Sequence, residues 1–381
     1  MEQRTSAPKE ATTPEPSPDA LLLWPFAAAR VASESMRWWM DAFGRRPADA
    51  DTPATPDWTT RNDVALQLVS MQLRDFSAGC DGQPALVCAP FALHRPLIAD
   101  FAPGHSIVEA LRANGVARVF VTDWRSATAE MRYLSIDSYL ADLNVAVDDI
   151  GPPVDLVGLC QGGWLALVYA ARFPHKVRRL VLAGAPIDMR AASDLSRLAA
   201  ALPSAGFDEL VRSGDGIVSG RHMSRFWSSA QGLGPEQALQ RALGSTPEES
   251  VRYRERFQIW DQSPLDLPGT YYLEVAHRIF RENQIAEDRF VALGRMVRLS
   301  DVTVPMFLLT AANDEVVPAA QTLTAAALVA TPPALVEQAS EPCMHLGLFM
   351  GGGALRNSWP RVARWLAAEV PTSVEGKAAV R

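Results

Sequence analysis

The sequence predicts an α/β fold with a mostly parallel sheet and helices on both of its faces. Two observations lead to this prediction. Candidate strands alternate with candidate helices along the first half of the chain, which is the pattern of a parallel sheet covered on both sides. At one junction, a strand runs into a helix through a tight turn with glycines on either side of a cysteine, Gly158 and Gly162 around Cys160.

The predicted elements follow one another from about Thr60. The strands are expected at residues 84–89, 116–122, 154–159, 177–184 and 305–310, and the helices at 106–114, 136–150, 164–173 and 359–370. The strands are short apolar runs. The first helix has apolar residues at helical spacing and Gly115 where a helix stop belongs.

The length of 381 residues fits one core domain with an inserted cap. Between about residues 190 and 298 the strand signal fades and the composition becomes helical, so this stretch is interpreted as a helical cap. The predicted organisation is 1–58 as disordered N-terminus, amphipathic helix and linker, 59–190 and 301–370 as the two parts of the core, 191–300 as the cap and 371–381 as a tail.

The N-terminal segment changes character twice. Residues 1–19 are polar and rich in proline, which predicts disorder. Residues 21–43 are aromatic and amphipathic and predict a helix packed on the core, with a surface for a granule, a membrane interface or a partner as the alternative. Residues 47–56 have the composition of a linker.

Composition excludes several classes of function. The formal net charge is −7 and the basic residues do not cluster, which argues against a nucleic-acid partner. The four cysteines form neither C-x-x-C pairs nor the spacing of a zinc site, so no metal is expected. Free cysteines of this kind suit a protein in a reducing cytoplasm. No apolar run reaches the roughly 20 residues that cross a bilayer, and the first residues do not follow the basic-then-apolar pattern of a secretory signal, so a protein inside the cell is expected.

Cys160 has the spacing of a nucleophile elbow, G-x-nucleophile-x-G, with cysteine in place of the usual serine. The glycines leave room for a sharp turn from strand to helix. The helix N-terminus and a nearby imidazolium both lower the pKa of a thiol at such a turn. The alternative is a small buried cysteine of no chemical importance.

An acid and a base later in the chain, Asp314 and His345, complete the pattern of a catalytic triad with Cys160. Asp314 lies on the turn after the strand expected at 305–310, and His345 follows another short apolar stretch. The order nucleophile, acid, base is that of the α/β-hydrolases, so the sequence predicts an α/β-hydrolase fold. Glu315 adjoins Asp314 and is the alternative acid.

These positions predict a mechanism. His345 takes the proton of Cys160, and Asp314 fixes the tautomer and orientation of His345. The oxyanion is expected to bind the backbone N–H of Gln161 and a second N–H near Phe91 or Ala92, after the strand at 84–89. A thiolate exchanges with a thioester at little thermodynamic cost, so a coenzyme A thioester suits this site better than a simple ester.

Several further residues are candidates for a place near the site. His94 lies on the expected oxyanion loop, although a structural or surface role is the simpler interpretation. Asp123, Trp124 and Asp188 follow strands on the side where α/β sheets bind ligands. The other histidines, His105, His175, His222 and His277, stand among charged or loop residues.

The chain resembles polyhydroxyalkanoate synthases, most of all the short two-component type. The similarity covers roughly residues 80–370 with gaps in the cap, and it is carried by Gly158 to Gly163, Phe173 to Val177, Phe91 to Pro96, Thr122 to Trp124, Trp260 to Pro264 and His345 to Gly347. Two positions differ from that pattern: Glu315 replaces a histidine that is common after the aspartate, and Met344 replaces a glycine before the histidine.

The resemblance implies a cysteine nucleophile at Cys160, a base at His345 and an acid at Asp314. It also implies (R)-3-hydroxyacyl-CoA as the substrate, polyester as the product, no separate cofactor, and a cytoplasmic location that extends to polyester granules. A partner subunit or a homo-oligomer is expected. Residues 267–273 and 184–188 are similar to intracellular polyhydroxyalkanoate depolymerases, so hydrolysis is the first alternative, and a non-catalytic granule protein is the second.

Overall fold

The computed structural model describes residues 57–369, apart from 192, 202, 222, 224–238, 241 and 244–246. In chain order the strands are β1 (Asp63–Gln67), β2 (Met71–Asp75), β3 (Pro84–Cys88), β4 (Asp100–Ala102), β5 (His105–Ser106), β6 (Arg118–Trp124), β7 (Val154–Leu159), β8 (Val177–Ala183), β9 (Ile217–Val218), β10 (Leu267–Pro268), β11 (Val291–Ala292), β12 (Arg295–Met296), β13 (Met306–Ala311) and β14 (Val336–Glu341).

The helices of the described residues are numbered in the same way. They are α1 (Ile107–Ala113), α2 (Ile136–Ile150), α3 (Gln161–Arg172), α4 (Asp194–Ala201), α5 (Ser204–Ser213), α6 (Pro247–Asp261), α7 (Gly269–Glu274), α8 (Ala319–Leu323), α9 (Ala325–Leu328), α10 (Gly347–Met350) and α11 (Gly352–Ala367). A π-helical segment, Val275–Arg281, continues α7.

Eight strands form one sheet in the order β1-β2-β6-β3-β7-β8-β13-β14. The first two are antiparallel to their neighbours, and all strands from β6 to β14 run parallel. The carboxyl ends of six strands, β6, β3, β7, β8, β13 and β14, therefore meet at one edge of the sheet. That edge is where parallel sheets place their ligands.

Both faces of the parallel sheet are covered, as the sequence predicts. Val87 and Val157 pack into one apolar cluster with residues of α1 and α11. Leu86 and Leu156 point to the opposite face and are also fully buried, on the side where α3 packs against β7 and β8. Successive residues of a strand point to opposite faces, so burial on both sides requires the uninterrupted apolar runs seen in the sequence.

Side-chain caps fix the beginnings of two of the helices. The Ser106 hydroxyl accepts a hydrogen bond from the N–H of Glu109 at the start of α1. Ser135 and Ser138 form a reciprocal capping box at the start of α2. Such caps satisfy N–H groups that have no partner inside the helix, and these two helices lie within one residue of their predicted bounds.

The structure corrects the predicted sheet at both of its edges. Strands β1 and β2 precede Pro84, where none was predicted. β1 is mostly exposed, but β2 alternates the buried Met71 and Leu73 with polar residues, a signal that the sequence reasoning missed. The stretch before His345, expected to be apolar, is strand β14, which is mostly polar. An edge strand has a solvated side, so it needs fewer apolar residues.

Two helix bounds were also wrong. The elbow helix was predicted from Trp164, but α3 begins at Gln161, directly after the cysteine. The last helix was predicted from Trp359, but α11 begins at Gly352 and continues through Pro360. In both helices the first turn contains glycines, which are weak helix formers in sequence and are held here by packing.

The insertion contains helices α4 to α7, as predicted, but also two short strand pairs that were not predicted. Strand β9 pairs with β10, and β11 pairs with β12. Each strand has only two residues, too few for a period-two pattern to show. The boundaries of the core and the cap stay predictions. The segments predicted at 1–19, 21–43, 47–56 and 371–381 lie outside the described residues.

A substitution at Gly162 tests how closely the first turn of α3 packs against the end of β3. A Cβ on Gly162 would overlap the carbonyl oxygens of Cys88 and Ala89, which are backbone atoms that cannot move aside cheaply. We expect Gly162→Ala to lower the free energy of unfolding by about 1–3 kcal/mol, the usual cost of overpacking, as measured by urea denaturation. The control is Gly353→Ala, where the nearest obstacle is the Glu341 carboxylate. Equal stability of the two variants would contradict the prediction.

Candidate active site

Cys160 lies on the sharp turn between β7 and α3. Its backbone has φ 48° and ψ −123°, a conformation that non-glycine residues rarely adopt. Two backbone hydrogen bonds fix this turn: the N–H of Cys160 donates to the Ala183 carbonyl at 2.9 Å, and the N–H of Gly163 donates to the Cys160 carbonyl at 2.8 Å. The thiol is therefore held at the carboxyl edge of the sheet, where it is only partly buried.

His345 contacts the sulfur of Cys160. Its Nε2 lies 3.2 Å from Cys160 Sγ, and its Nδ1 lies 2.8 Å from Asp314 Oδ2. The ring is buried, with 5% of the residue exposed. A carboxylate can only accept, so Nδ1 carries the proton that is donated to Asp314, and Nε2 faces the sulfur.

Asp314 is held by the turn that follows β13. Its side chain is fully buried, and Oδ1 accepts hydrogen bonds from the N–H groups of Val316 at 2.9 Å and Val317 at 2.7 Å. Both of its oxygens therefore have partners, one on the turn and one on the His345 ring. The turn Asp314 to Val317 thus holds the carboxylate in place independently of its contact with His345.

Glu315 holds the same histidine by its backbone. Glu315 Oε2 accepts a hydrogen bond from the N–H of His345 at 3.1 Å, whereas the ring contacts Asp314. Of the two adjacent carboxylates, Asp314 is therefore the one placed to orient the imidazole. Sequence reasoning missed this contact of Glu315. The only signal at that position was that a glutamate replaces the histidine common in the polyhydroxyalkanoate synthases that the chain resembles.

The charges around His345 control its protonation. Burial by itself lowers the pKa of the ring, but the Cys160 thiolate and the Asp314 carboxylate together raise the pKa well above the ordinary value of a histidine. The ring beside the sulfur therefore favours its protonated form. This is the arrangement that activates a cysteine nucleophile.

The other described thiols lack such an environment. Burial raises the pKa of Cys88, and burial together with the nearby carboxylates of Glu341 and Asp314 raises the pKa of Cys343 to about 12. Both thiols stay protonated at neutral pH. Cys80 is exposed on a loop before β3.

The residues predicted to form the oxyanion hole lie around the elbow. Gln161 is the first residue of α3, so its N–H has no acceptor inside the helix. The carbonyl groups of Cys88 and Ala89 lie against Gly162, so the end of β3 packs on the first turn of α3, and Phe91 and Ala92 follow it. The catalytic and oxyanion roles of these residues stay predictions.

The further candidates have structural partners. Asp123 is buried and paired with Arg74 at 2.9 Å, and the Trp124 indole donates to the Ala89 carbonyl at 2.7 Å. Asp188 accepts hydrogen bonds from Arg190 and from Asn283. His222 lies outside the described residues.

In the part of the chain that the structure describes, no three His, Cys, Asp or Glu side chains come together as metal ligands. None of the helices in that part combines the length and the apolar character needed to span a bilayer.

The chain is similar to polymerase subunits from bacteria. It is 27% identical over 296 residues to the poly(3-hydroxyalkanoate) polymerase subunit PhaC of Synechocystis sp., which covers 74% of this chain and 78% of the relative. The corresponding subunit of Allochromatium vinosum is 26% identical over 296 residues, covering 75% and 81%. Both similarities extend well beyond the elbow.

The fold agrees with a solved structure and with a family model. The alpha/beta hydrolase fold protein from Chitinophaga pinensis superposes with a TM-score of 0.50 at 11% identity, covering 84% of this chain and 100% of that one, which supports the fold alone. The family model of the alpha/beta hydrolase fold matches residues 98–349, more than half of the chain. With its parallel sheet and its strand-to-helix elbow, the chain belongs to the α/β hydrolase fold family.

Proposed function

We propose that this chain is an acyltransferase that polymerises (R)-3-hydroxyacyl groups from coenzyme A thioesters through a thioacyl enzyme on Cys160. The observation that carries the proposal is the 3.2 Å contact between the Cys160 sulfur and the buried His345 ring. It occurs in a chain whose relatives over about three quarters of its length are poly(3-hydroxyalkanoate) polymerase subunits.

The first half-reaction transfers the acyl group to the protein. The Cys160 thiolate attacks the thioester carbonyl carbon, a carbon–sulfur bond forms, and the carbonyl electron pair moves to oxygen. When the tetrahedral intermediate collapses, the bond to the coenzyme A sulfur breaks, and the His345 imidazolium supplies the proton to the leaving thiol. Coenzyme A leaves, and the acyl group remains on Cys160.

The second half-reaction forms the ester. The now neutral His345 accepts the proton of a 3-hydroxyl group, whose oxygen attacks the thioacyl carbon. The carbon–oxygen bond forms, the bond to Cys160 Sγ breaks, and the thiolate and the imidazolium are restored. Asp314 stabilises the charged ring in both steps, because its carboxylate accepts the Nδ1–H.

The oxyanion of each step needs donors on one side of the carbonyl. The N–H of Gln161, at the positive end of α3, is the first donor we propose. The second comes from the loop after β3, at Phe91 or Ala92. No cofactor takes part, because the thioester supplies both the acyl group and the leaving group.

The partners and the location follow from the same proposal. The relatives named above are subunits of a polymerase, so we infer that this chain acts with a partner subunit or as a homo-oligomer. Its product is a water-insoluble polyester, so we place the enzyme in the cytoplasm and at the granule surface. The aromatic residues between 21 and 43 are the sequence feature suited to that contact.

Release of coenzyme A tests the acyl transfer. Wild type incubated with (R)-3-hydroxybutyryl-CoA should release free coenzyme A and gain the acyl mass on Cys160. Cys160→Ala should do neither, because it lacks the sulfur. Cys80→Ala, which removes an exposed thiol away from the histidine, should match wild type. The measurements are a thiol assay and mass spectrometry of the intact protein.

The products distinguish synthesis from hydrolysis. Polyester together with coenzyme A release supports the polymerase, whereas free 3-hydroxybutyrate without polymer supports the hydrolase alternative. Coenzyme A release is measured with the chain alone and with a polymerase partner subunit added. No release in either case, with Cys160 unmodified, would contradict the proposal.

Asp314→Asn tests the charge on His345. The asparagine oxygen keeps the contacts to Val316 and Val317, but the negative charge beside the ring is lost. Removing a nearby negative charge destabilises the protonated imidazole, so the pKa of His345 should fall and the ring should lose its proton at lower pH than in wild type. A pH titration of the ring by NMR measures this shift.

The acylation rate should fall together with that pKa. Changing an aspartate in this role to asparagine costs about 10⁴-fold in rate, because the wrong tautomer faces the nucleophile. Glu337→Gln, which removes a half-buried carboxylate on β14 that pairs with Arg361, is the control and should change neither quantity. An unaltered His345 pKa in Asp314→Asn would mean that the carboxylate does not control the ring.

A further inference from the structure

The loop after β3 is bound to the insertion as well as to the core. The N–H of Leu265 donates to the Leu93 carbonyl at 2.5 Å, and His94 forms an antiparallel bridge with Pro264. The loop at 91–95 therefore gains a short piece of β-pairing from residues beyond α6. This is the loop that should supply the second oxyanion donor.

The His94 ring adds a second connection. It lies flat against the Trp260 indole, with ring centroids 4.4 Å apart and planes inclined by 30°. His94 Nε2–H donates to the Asp261 carbonyl at 3.1 Å, and the Trp260 indole N–H donates to the Arg95 carbonyl at 3.0 Å. Trp260 is itself buried, so the contact is fixed from the side of the insertion.

The protonation of His94 suits this contact. Burial lowers the pKa of the ring, and the nearby Asp261 only partly opposes that effect. A neutral ring protonated on Nε2 donates to the Asp261 carbonyl and stacks on the indole without placing a charge in a buried site.

The other end of the loop is held through Phe91. This buried ring contacts Tyr271 of α7 in the insertion at 5.2 Å, and Tyr139 of α2 and Trp124 of β6 in the core at 4.8 Å and 6.1 Å. The loop is thus attached to the insertion on both sides of Ala92.

The backbone between these attachments is strained. Leu93 has φ 53°, in the left-handed region that a leucine seldom occupies, and the N–H of His94 turns back to the Ala92 carbonyl at 2.6 Å. Such a conformation persists only where the surroundings impose it. Here the surroundings are the contacts to residues 260–265.

We propose that residues 260–265 of the insertion position the second oxyanion donor, with His94 and Trp260 as the positioning residues. The inference rests on the proposed acyl transfer, because the backbone N–H that these residues hold in place would bind the oxyanion of that reaction. Neither side chain touches the reacting atoms. Each acts by fixing the backbone at Phe91 and Ala92.

The test compares two reactions of the same sulfur. Alkylation of Cys160 by iodoacetamide displaces iodide and develops no charge on a carbonyl oxygen, so it needs the Cys160 and His345 pair but no oxyanion donor. Acylation by (R)-3-hydroxybutyryl-CoA needs both. In His94→Ala we expect alkylation within about twofold of wild type and acylation slower by roughly 10²-fold, the usual cost of losing one oxyanion donor.

Two variants and a control sharpen the comparison. His94→Gln retains a flat group that can donate to the Asp261 carbonyl, and should recover most of the acylation rate. Trp260→Phe keeps the stacking but loses the donor to Arg95, and should fall between wild type and His94→Ala. His175→Gln removes an exposed histidine near the opposite end of the sheet and should match wild type in both reactions.

The outcomes separate this inference from the proposed function. If wild type is not acylated by the thioester but is acylated by p-nitrophenyl butyrate, the polymerase proposal fails, and the same rate ratio measured with that ester decides the inference. Equal losses of alkylation and acylation in His94→Ala, or unchanged acylation, would overturn it. Failure of both acyl donors with wild type would overturn both proposals.

Discussion

The position of one sulfur atom depends on a backbone turn that is unfavourable by itself. A non-glycine residue with the conformation of Cys160 costs on the order of 1–3 kcal/mol. That cost is offset by close packing, because the glycines at 158, 162 and 163 let strand and helix backbones approach more closely than any side chain would allow. The hydrogen bond from Cys160 to Ala183 then ties the turn to β8. The tight elbow places the thiol at the carboxyl edge of the sheet, where it is only partly buried.

The pairing of β13 with β14 determines the position of His345. The parallel ladder continues past the strand ends, since the N–H of Ala312 donates to the Glu341 carbonyl and that of Asn313 to the Cys343 carbonyl. Asp314 and Glu315 follow at once and hold His345 by its ring and by its backbone. Removing the buried Asp314 carboxylate is costly, because the charged ring that it contacts would keep its desolvation penalty. The imidazole is therefore fixed before substrate arrives.

Sequence reasoning succeeded where local chemistry and the fold agree. The bounds of the helix Ile136–Ile150 could be predicted because apolar spacing and end signals coincide, and the contact among Cys160, His345 and Asp314 followed from chain order. It failed where the three-dimensional neighbours decide. Strands β1 and β14 lie at sheet edges, where β1 is mostly exposed and β14 is mostly polar, so neither has the long apolar run of a buried strand. The contacts of Glu315 and His94 join segments 30 and 167 residues apart, and no local pattern shows them.

In the proposed acyl transfer, the fate of the acyl group depends on the insertion as well as on Cys160, His345 and Asp314. His345 can remove a proton from water or from a chain-end hydroxyl alike, so the catalytic groups do not choose between the two. The insertion is attached on both sides of the elbow: through His94 to the loop after β3, and through Asn283, which donates to Asp188 and accepts from the N–H of Met189, to the loop after β8. The insertion therefore contacts the loops that follow both neighbours of β7, the strand that leads to Cys160. Whether water or a hydroxyl reaches the thioacyl carbon thus depends on packing between the insertion and the core, which can change while the triad stays the same.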